Sequence, residues 1–262
     1  MNAPLPGLPS VNVIGVTCDR PALLADALAS IALQRPAPLE VRIADDGDSP
    51  ALADFTALEV TRIRSNARQP GASRNLAARD ARGEVLAFLD DDDRWTPGHL
   101  EGLARAFRDP SVGVAYRDAA VVRESVDAHG RRTELDRCVI AHDWDVELMR
   151  HDDFIPPSAL AVRRTLFDEL GGFDESFRYS EDWDFLMRAA AALEKSGRAA
   201  PLRVPGVTVE VRLREQGNAS VDRGPERRAC LDRLAARHGL SPLEIKTFWE
   251  VALAVGKAGA TP

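Results

Sequence analysis

The densest chemistry in the chain is Asp90-Asp91-Asp92-Asp93, four consecutive carboxylates that directly follow the apolar run Val85 to Leu89. Adjacent carboxylates repel one another, so a fold that gathers them needs cations to offset the charge, and a divalent metal is the simplest. Side chains two apart in an extended segment point the same way, which turns Asp90 and Asp92 toward one ligand and Asp91 and Asp93 elsewhere. Oxygen donors in this number suit Mg²⁺ or Mn²⁺ bridging two phosphates. A solvated loop capping the next helix is the plain alternative; the position at the end of a strand favours a site.

Two further acidic clusters share that placement at the ends of elements. Ala44-Asp45-Asp46-Gly47-Asp48-Ser49 follows a second strand, where a carboxylate can accept hydrogen bonds from a base N–H or a ribose hydroxyl and Gly47 permits close backbone approach. Tyr179-Ser180-Glu181-Asp182-Trp183-Asp184 stands at a helix start. Taken singly, the one is also an Asx turn and the other a cap or dipole partner. Gly71-Ala72-Ser73-Arg74-Asn75 opens another helix, whose N–H groups and Arg74 are suited to a phosphate or its metal-bound surroundings.

Other chemistries lack their residues. Lys195, Lys246 and Lys257 are the only lysines, and no G-x-x-x-x-G-K-S/T stretch exists. Thr17-Cys18-Asp19-Arg20-Pro21 stands where a dinucleotide fingerprint would follow the first strand, and no G-x-S-x-G is present. His142 and His151 have no partner at zinc-site spacing and read as surface or core residues. The four tryptophans, Trp95, Trp144, Trp183 and Trp249, read as packing residues, with Trp183 also within range of an acceptor near Asp182.

The elements that must position these groups alternate. Val11 to Val16, Glu40 to Ala44, Val60 to Arg64 and Val85 to Leu89 read as strands; Pro21 to Gln34 and Ser73 to Ala81 read as helices. Such alternation predicts an α/β fold with a mostly parallel sheet covered by helices, its ligands at the carboxyl ends of the strands. Past Pro97 a helix to Phe107 precedes strands at Val112 to Tyr116, Ala119 to Ser125 and Arg132 to Ile140, with a hairpin turn at Asp127 to Gly130. A helix from Arg164 to Leu170 stops at Gly171-Gly172; Ser180 then precedes a helix from Glu181 to Ala192, and Val207 to Leu213 is the last strand. Two tail helices follow, one from Pro225 to before Gly239 and one opening with a capping box, Ser241 to Glu244. The expected organisation is a lead-in over 1–10, one main domain over 11–220 and a helical appendage over 221–262.

Composition agrees. With 262 residues, 45% hydrophobic and 29% charged, the chain carries enough apolar material for a sizeable core. Its net charge of −7 argues against a duplex nucleic-acid binder. Three cysteines, an odd number and far apart, point to a reducing compartment. MNAPLPGLPS is no secretory signal, and no run approaches the roughly 20 apolar residues of a membrane-spanning helix, so a cytoplasmic location without an integral membrane segment is expected.

In this order the clusters resemble the family 2 glycosyltransferases of GT-A fold, over most of Val11 to about Ser220. The matching stretches are Val16-Thr17 with Arg20-Pro21, Ala44-Asp45-Asp46-Gly47, Gly71-Ala72-Ser73-Arg74-Asn75, Phe88-Leu89-Asp90-Asp91-Asp92-Asp93, Ile155-Pro156-Pro157-Ser158, and Gly171-Gly172-Phe173-Asp174-Glu175 with Ser180-Glu181-Asp182-Trp183-Asp184. The resemblance implies a nucleotide-diphosphate sugar donor, a saccharide or other hydroxyl acceptor, Mn²⁺ or Mg²⁺, and inversion at the anomeric carbon. It implies that Asp46 holds the base or ribose, that Asp92 binds the metal and that Asp90 lies by the ribose or the metal. Thr17 then lines the nucleotide pocket, Arg74 stands on its phosphate side, and Asp182 is the general base. Cys18-Asp19 replaces the Tyr-Asn of many relatives, Asp48 replaces a more usual Ser, and the last strand lacks a histidine often found there, leaving Arg212 or Arg214 for the diphosphate. A non-catalytic nucleotide-sugar or calcium-binding module is the alternative from another class. A haloacid-dehalogenase-type phosphatase, suggested by Asp46-Gly47-Asp48-Ser49, would need an acid pair after Lys195 that the chain lacks.

Overall fold

The computed structural model describes residues 7–48, 58–127, 132–214 and 224–258. In chain order its elements are β1 (Val11–Thr17), α1 (Pro21–Ala32), β2 (Glu40–Asp45), β3 (Val60–Arg64), α2 (Pro70–Ala78), β4 (Val85–Asp90), β5 (Arg94–Trp95), α3 (His99–Ala106), β6 (Val114–Val126) and β7 (Arg132–Ile140). There follow α4 (Val146–Met149), a 3₁₀ turn (Pro157–Ala159), β8 (Leu160–Arg163), α5 (Arg164–Glu169), α6 (Glu181–Lys195), β9 (Leu202–Leu213), α7 (Pro225–His238) and α8 (Phe248–Ala258).

One sheet runs β3-β2-β1-β4-β8-β6-β9-β5, with β7 paired to β6. Its first four strands are mutually parallel; β8 runs antiparallel between β4 and β6, and β6 and β9 are parallel again. Apolar β1 and β4 are covered on both faces, as central parallel strands must be. Gly15 lets β1 approach its neighbours: a Cβ there would lie 2.6 Å from Ile43 Cδ1 and 3.0 Å from the Leu89 carbonyl oxygen. The register pairs Thr17 with Asp45 and Val16 with Asp90, so the ends of β1, β2 and β4, two of them acid-bearing, share one rim of the sheet. Beneath that rim Phe88, Phe167, Phe173 and Phe185 pack ring on ring at 5.0 to 6.0 Å.

Several expected boundaries move for identifiable reasons. The runs read as two strands before Ser125 form the single strand β6, and β9 starts at Leu202 rather than Val207. Pro205 and Gly206 are accommodated where the β6–β9 register slips around Asp118. Gly239, at φ +61°, ends α7 as expected. The final helix does not open at Ser241. It starts at Phe248, where Thr247 and Glu250 form the reciprocal capping pair; Leu243 is buried and Lys246 is held by Asp152, which keeps that stretch out of a helix. Residues 128–130 of the expected hairpin turn, 1–6 of the lead-in, Ser49 and most of the 216–224 boundary lie outside the described residues. Among the described residues no helix is long and apolar enough to cross a membrane.

The tail helices join the main core through Cys230, Leu231, Leu234, Val251, Ala252 and Val255. Asp184 of α6, fully buried, fastens α7: it meets Arg237 at 3.0 Å and His238 at 2.9 Å, and Arg188 of its own helix at 2.7 Å. Burial alone would raise its pKa, yet the hydrogen bonds from His238 and Arg188 hold it below the ordinary carboxylate range. Removing one partner of a buried cluster leaves the others uncompensated, so Asp184→Ala is expected to cost about 3 kcal/mol in denaturant unfolding at neutral pH. Because a depressed carboxylate stabilises only while ionised, the gap to wild type should close as pH falls through that lowered pKa. A gap below about 1 kcal/mol at neutral pH, in the range of an exposed pair, would refute the link between α6 and α7.

Candidate active site

A cavity of about 680 Å³ opens over the carboxyl ends of β1, β2 and β4 and is walled opposite by the first turn of α6 and by α7 and α8. Thr17, Asp46, Arg74, Asp90, Asp92 and Asp182 all line it, so the structure brings every candidate site residue to one space.

After β4 the chain does not continue extended. The Asp93 N–H donates to the Asp90 carbonyl at 3.2 Å, closing a tight turn, and side-chain alternation ends there. Asp91 turns away as expected, accepting from Thr17 Oγ1 at 2.7 Å and Arg20 at 3.2 Å. Asp93 does not turn away: Asp90, Asp92 and Asp93 each present a carboxylate oxygen, and the three oxygens lie within 4.8 Å of one another. Ser158, fully buried in the 3₁₀ turn before β8, stitches the loop; its Oγ receives the Asp90 N–H at 3.1 Å and donates to Asp93 Oδ2 at 2.6 Å. The Arg212 N–H supplies Asp93 with another hydrogen bond at 3.1 Å.

Burial, and then repulsion among these acids, raises all of Asp91, Asp92 and Asp93, Asp91 to about 7. Arg20 at 3.2 Å and Arg214 at 2.9 Å offset part of the charge at Asp92. Of the two arginines proposed to replace the usual histidine, Arg214 meets that carboxylate. Arg212 donates from Nε to the Asp92 carbonyl at 2.6 Å and pairs with Asp26 at 3.2 Å, which makes it a brace for the turn. Three convergent carboxylate oxygens form a hard donor set that fits Mg²⁺ or Mn²⁺.

At the end of β2 the two acids diverge. Asp45, fully buried, pairs with Arg62 at 2.6 Å and receives the Gly47 N–H at 2.8 Å. Asp46 faces the cavity, accepting from Ser73 Oγ at 2.6 Å and the Arg68 N–H at 3.0 Å, so its carboxylate is held in place.

Across the cavity, α6 begins after Ser180, which sits in the left-handed region at φ +63° and makes no side-chain cap. Asp182 lines the cavity, and its Oδ1 accepts the Trp183 N–H at 2.9 Å. Burial raises its pKa, Arg74 opposes that, and Asp90 adds to it. Glu181 is pushed up to about 7 by burial and by Asp182, against the pull of Arg74. Sequence reasoning missed Asp152 and Asp153, which also line the cavity; Asp152 pairs with Lys246 at 2.6 Å, and burial plus the Asp182 charge raises Asp153 well above the carboxylate range. Only the adjacent acids themselves signalled them. Trp183 is mostly buried with its Nε1 donating to the Met149 carbonyl at 2.7 Å, so packing is its main duty. His142 and His151 belong to no group of metal-ligating side chains among the described residues.

A half-parallel sheet with an acidic turn after its fourth strand, faced by a carboxylate pair at a helix start, is the architecture of the GT-A glycosyltransferases. The Glycosyl transferase family 2 profile matches residues 12–171, and the chain belongs to that family. It is 34% identical over 244 residues to the uncharacterised glycosyltransferase YwdF of Bacillus subtilis, covering 91% of this chain and 87% of that one. Among solved structures it resembles S. aureus TarS 1–349 in complex with UDP-GlcNAc, at a TM-score of 0.63 and 18% identity, over 94% of this chain and 71% of that one. It likewise resembles the mannosyltransferase PcManGT of Pyrobaculum calidifontis in complex with GDP-Man and Mn²⁺, at a TM-score of 0.58 and 19% identity, over 97% and 77% of the two chains.

Proposed function

We propose that this protein moves a sugar from a nucleotide-diphosphate sugar to an acceptor hydroxyl with inversion, Asp182 acting as general base. The observation that carries the reading is the meeting of Asp182 with the acidic turn Asp90 to Asp93 across one cavity. Nucleotide sugars held by TarS and PcManGT support the donor class, and the Mn²⁺ of the latter supports a metal. Asp90, Asp92 and Asp93 would hold Mn²⁺ or Mg²⁺, which when bound stabilises negative charge on a departing diphosphate as a Lewis acid.

The chain's own groups account for the rest. Thr17 and Asp46 line the nucleoside end, and Arg74 reaches the donor through Asp90. An inverting displacement needs a base on the face of the sugar opposite the leaving group. Asp182 stands on the wall facing the acidic turn, and a carboxylate whose pKa is raised by burial is a better proton acceptor than an exposed one. Residues 11–220 form the transferase unit in this reading, and the tail beyond walls the acceptor side with Leu231 of α7, Phe248 of α8 and Lys246 between them. The reaction belongs in the cytoplasm, where free thiols such as Cys18 persist.

A thermal-shift screen of nucleoside diphosphates and their sugars with Mn²⁺, followed by an assay for sugar release or transfer, tests the function. Binding with no turnover in any donor and acceptor mixture would replace the enzyme by a binding module. Within the same assay Asp46→Ala should weaken nucleoside diphosphate binding by about 1.5–3 kcal/mol, the worth of a hydrogen bond to a charged group. Unchanged affinity in calorimetry would leave Asp46 as a turn residue held by Ser73 and Arg68.

A further inference from the structure

We infer that Arg74 is a positioning residue: it ties Glu181, and with it the first turn of α6, to the donor-side carboxylate Asp90, and so fixes where Asp182 stands. The inference rests on the transferase reading above and deepens it, because it gives α2 a duty other than cradling phosphate.

The side chains of α2 carry the argument. Arg74 is 3% exposed, and both terminal nitrogens are engaged: Nη1 donates to Glu181 Oε1 at 2.6 Å and Nη2 to Asp90 Oδ1 at 2.6 Å. Its guanidinium lies 5.7 Å from the centre of the Phe173 ring. Next to it, Asn75 closes a two-way clasp on the backbone of Phe173, donating to its carbonyl at 2.8 Å and accepting its N–H at 2.9 Å. Ser73 holds Asp46. Gly71 completes the contact, since a Cβ there would stand 3.1 Å from Glu181 Cγ and 3.2 Å from Phe173 Cβ. One helix therefore touches the nucleoside-side acid, the acidic turn and the base helix together.

The base helix needs such an anchor. Ser180 precedes it in a left-handed conformation and provides no side-chain cap, so the first turn is held by its side-chain contacts: Trp183 and Asp184 fasten it to Met149 and α7, and Glu181, through Arg74, is the contact that reaches the acidic turn. A guanidinium fork presents two parallel donors in a fixed plane, which a lysine cannot reproduce. Misplacing a catalytic group by an ångström costs about 100-fold in rate. Arg74 thus acts on catalysis through Asp182 without touching the reacting atoms.

The test compares steady-state transfer with calorimetric binding of a nucleoside diphosphate in Arg74→Ala, Arg74→Lys, Glu181→Ala and Glu181→Gln. Positioning predicts that kcat falls about 100-fold in both alanine variants, while KM for donor and nucleoside diphosphate affinity stay within about threefold. Glu181→Gln keeps an oxygen for Arg74 and should hold kcat at least about tenfold above Glu181→Ala. Combining both alanine changes should slow transfer little beyond either alone, since one link is removed twice. If Arg74→Ala and Arg74→Lys lose nucleotide affinity while Glu181→Ala keeps normal kcat, Arg74 is a phosphate ligand and the inference falls. It also falls if melting temperature drops while the folded fraction turns over normally. Should an alanine variant fail to fold, Arg74→Lys decides: lowered kcat with nucleotide affinity kept supports positioning, and normal kcat or lost nucleotide affinity overturns it. A wild-type protein that binds nucleotide but transfers nothing defeats the transferase reading itself, whereas normal wild-type transfer with unaltered variants defeats only the positioning role.

Discussion

Asp182→Asn should lower sugar transfer at saturating donor by at least about 100-fold, with nucleoside diphosphate affinity and melting temperature near wild type. Asparagine keeps the size of the side chain and the oxygen that accepts the Trp183 N–H, so the start of α6 survives. What it loses is the capacity to take a proton from an acceptor hydroxyl. The pH profile adds an independent signature. Burial lifts the Asp182 carboxyl above the ordinary range, so as pH falls it takes up a proton, and loses its capacity as a base, before an exposed aspartate would. Transfer by the wild type should therefore rise with pH along a limb displaced upward from the usual carboxylate range, and Asp182→Asn should flatten it. Glu181→Gln, neutral but still able to accept from Arg74, is the control, and transfer within about tenfold of wild type is required of it. Near-normal turnover by Asp182→Asn would remove the general-base assignment.

The acidic turn yields the second large effect. A ligand at about 100 times its Kd stabilises a folded protein by about 2.7 kcal/mol, which in a thermal melt is a shift of several degrees. Nucleoside diphosphate with Mn²⁺ should produce a shift of that order, and excess chelator or Asp92→Ala should abolish it. Asp93→Asn is expected to follow Asp92→Ala because its carboxylate converges with those of Asp90 and Asp92. Asp91→Asn should bind metal normally, since Asp91 faces Thr17 and Arg20. Full stabilisation in chelator would assign the turn to direct nucleotide contact, and a metal-dependent shift retained in Asp93→Asn would restrict the ligand set to Asp90 and Asp92.

Much of this was legible in one dimension, for a local reason. A buried parallel strand is a short apolar run, and the polar residue that ends it marks where ligand can bind, so Thr17, Asp46 and Asp90 announced both their strands and their common rim. The helix start at Asp182 was readable from the acids of its first turn, and the end of α7 from Gly239. Composition and missing motifs removed nicotinamide, P-loop and serine-hydrolase chemistries before any fold was known.

Other features depended on distances that no local pattern encodes. Alternation assigned Asp93 to the wrong side because a turn closed by a single hydrogen bond interrupts the extended geometry on which alternation rests. Adjacent Asp45 and Asp46 look alike in sequence, and only Arg62 on one side and Ser73 on the other decide which is structural and which faces the cavity. The capping box moved from Ser241 to Thr247 because Asp152, 94 residues earlier, captures Lys246. The partners of Arg74 are likewise split, Asp90 sixteen residues away and Glu181 one hundred and seven. Residue types and strand ends determined which chemistry this chain can carry. Which carboxylates converge, which face the cavity and which hold another side chain in place was decided by tertiary packing, since a carboxylate's surroundings follow from its neighbours' charge and its burial, and both are supplied by residues remote in sequence.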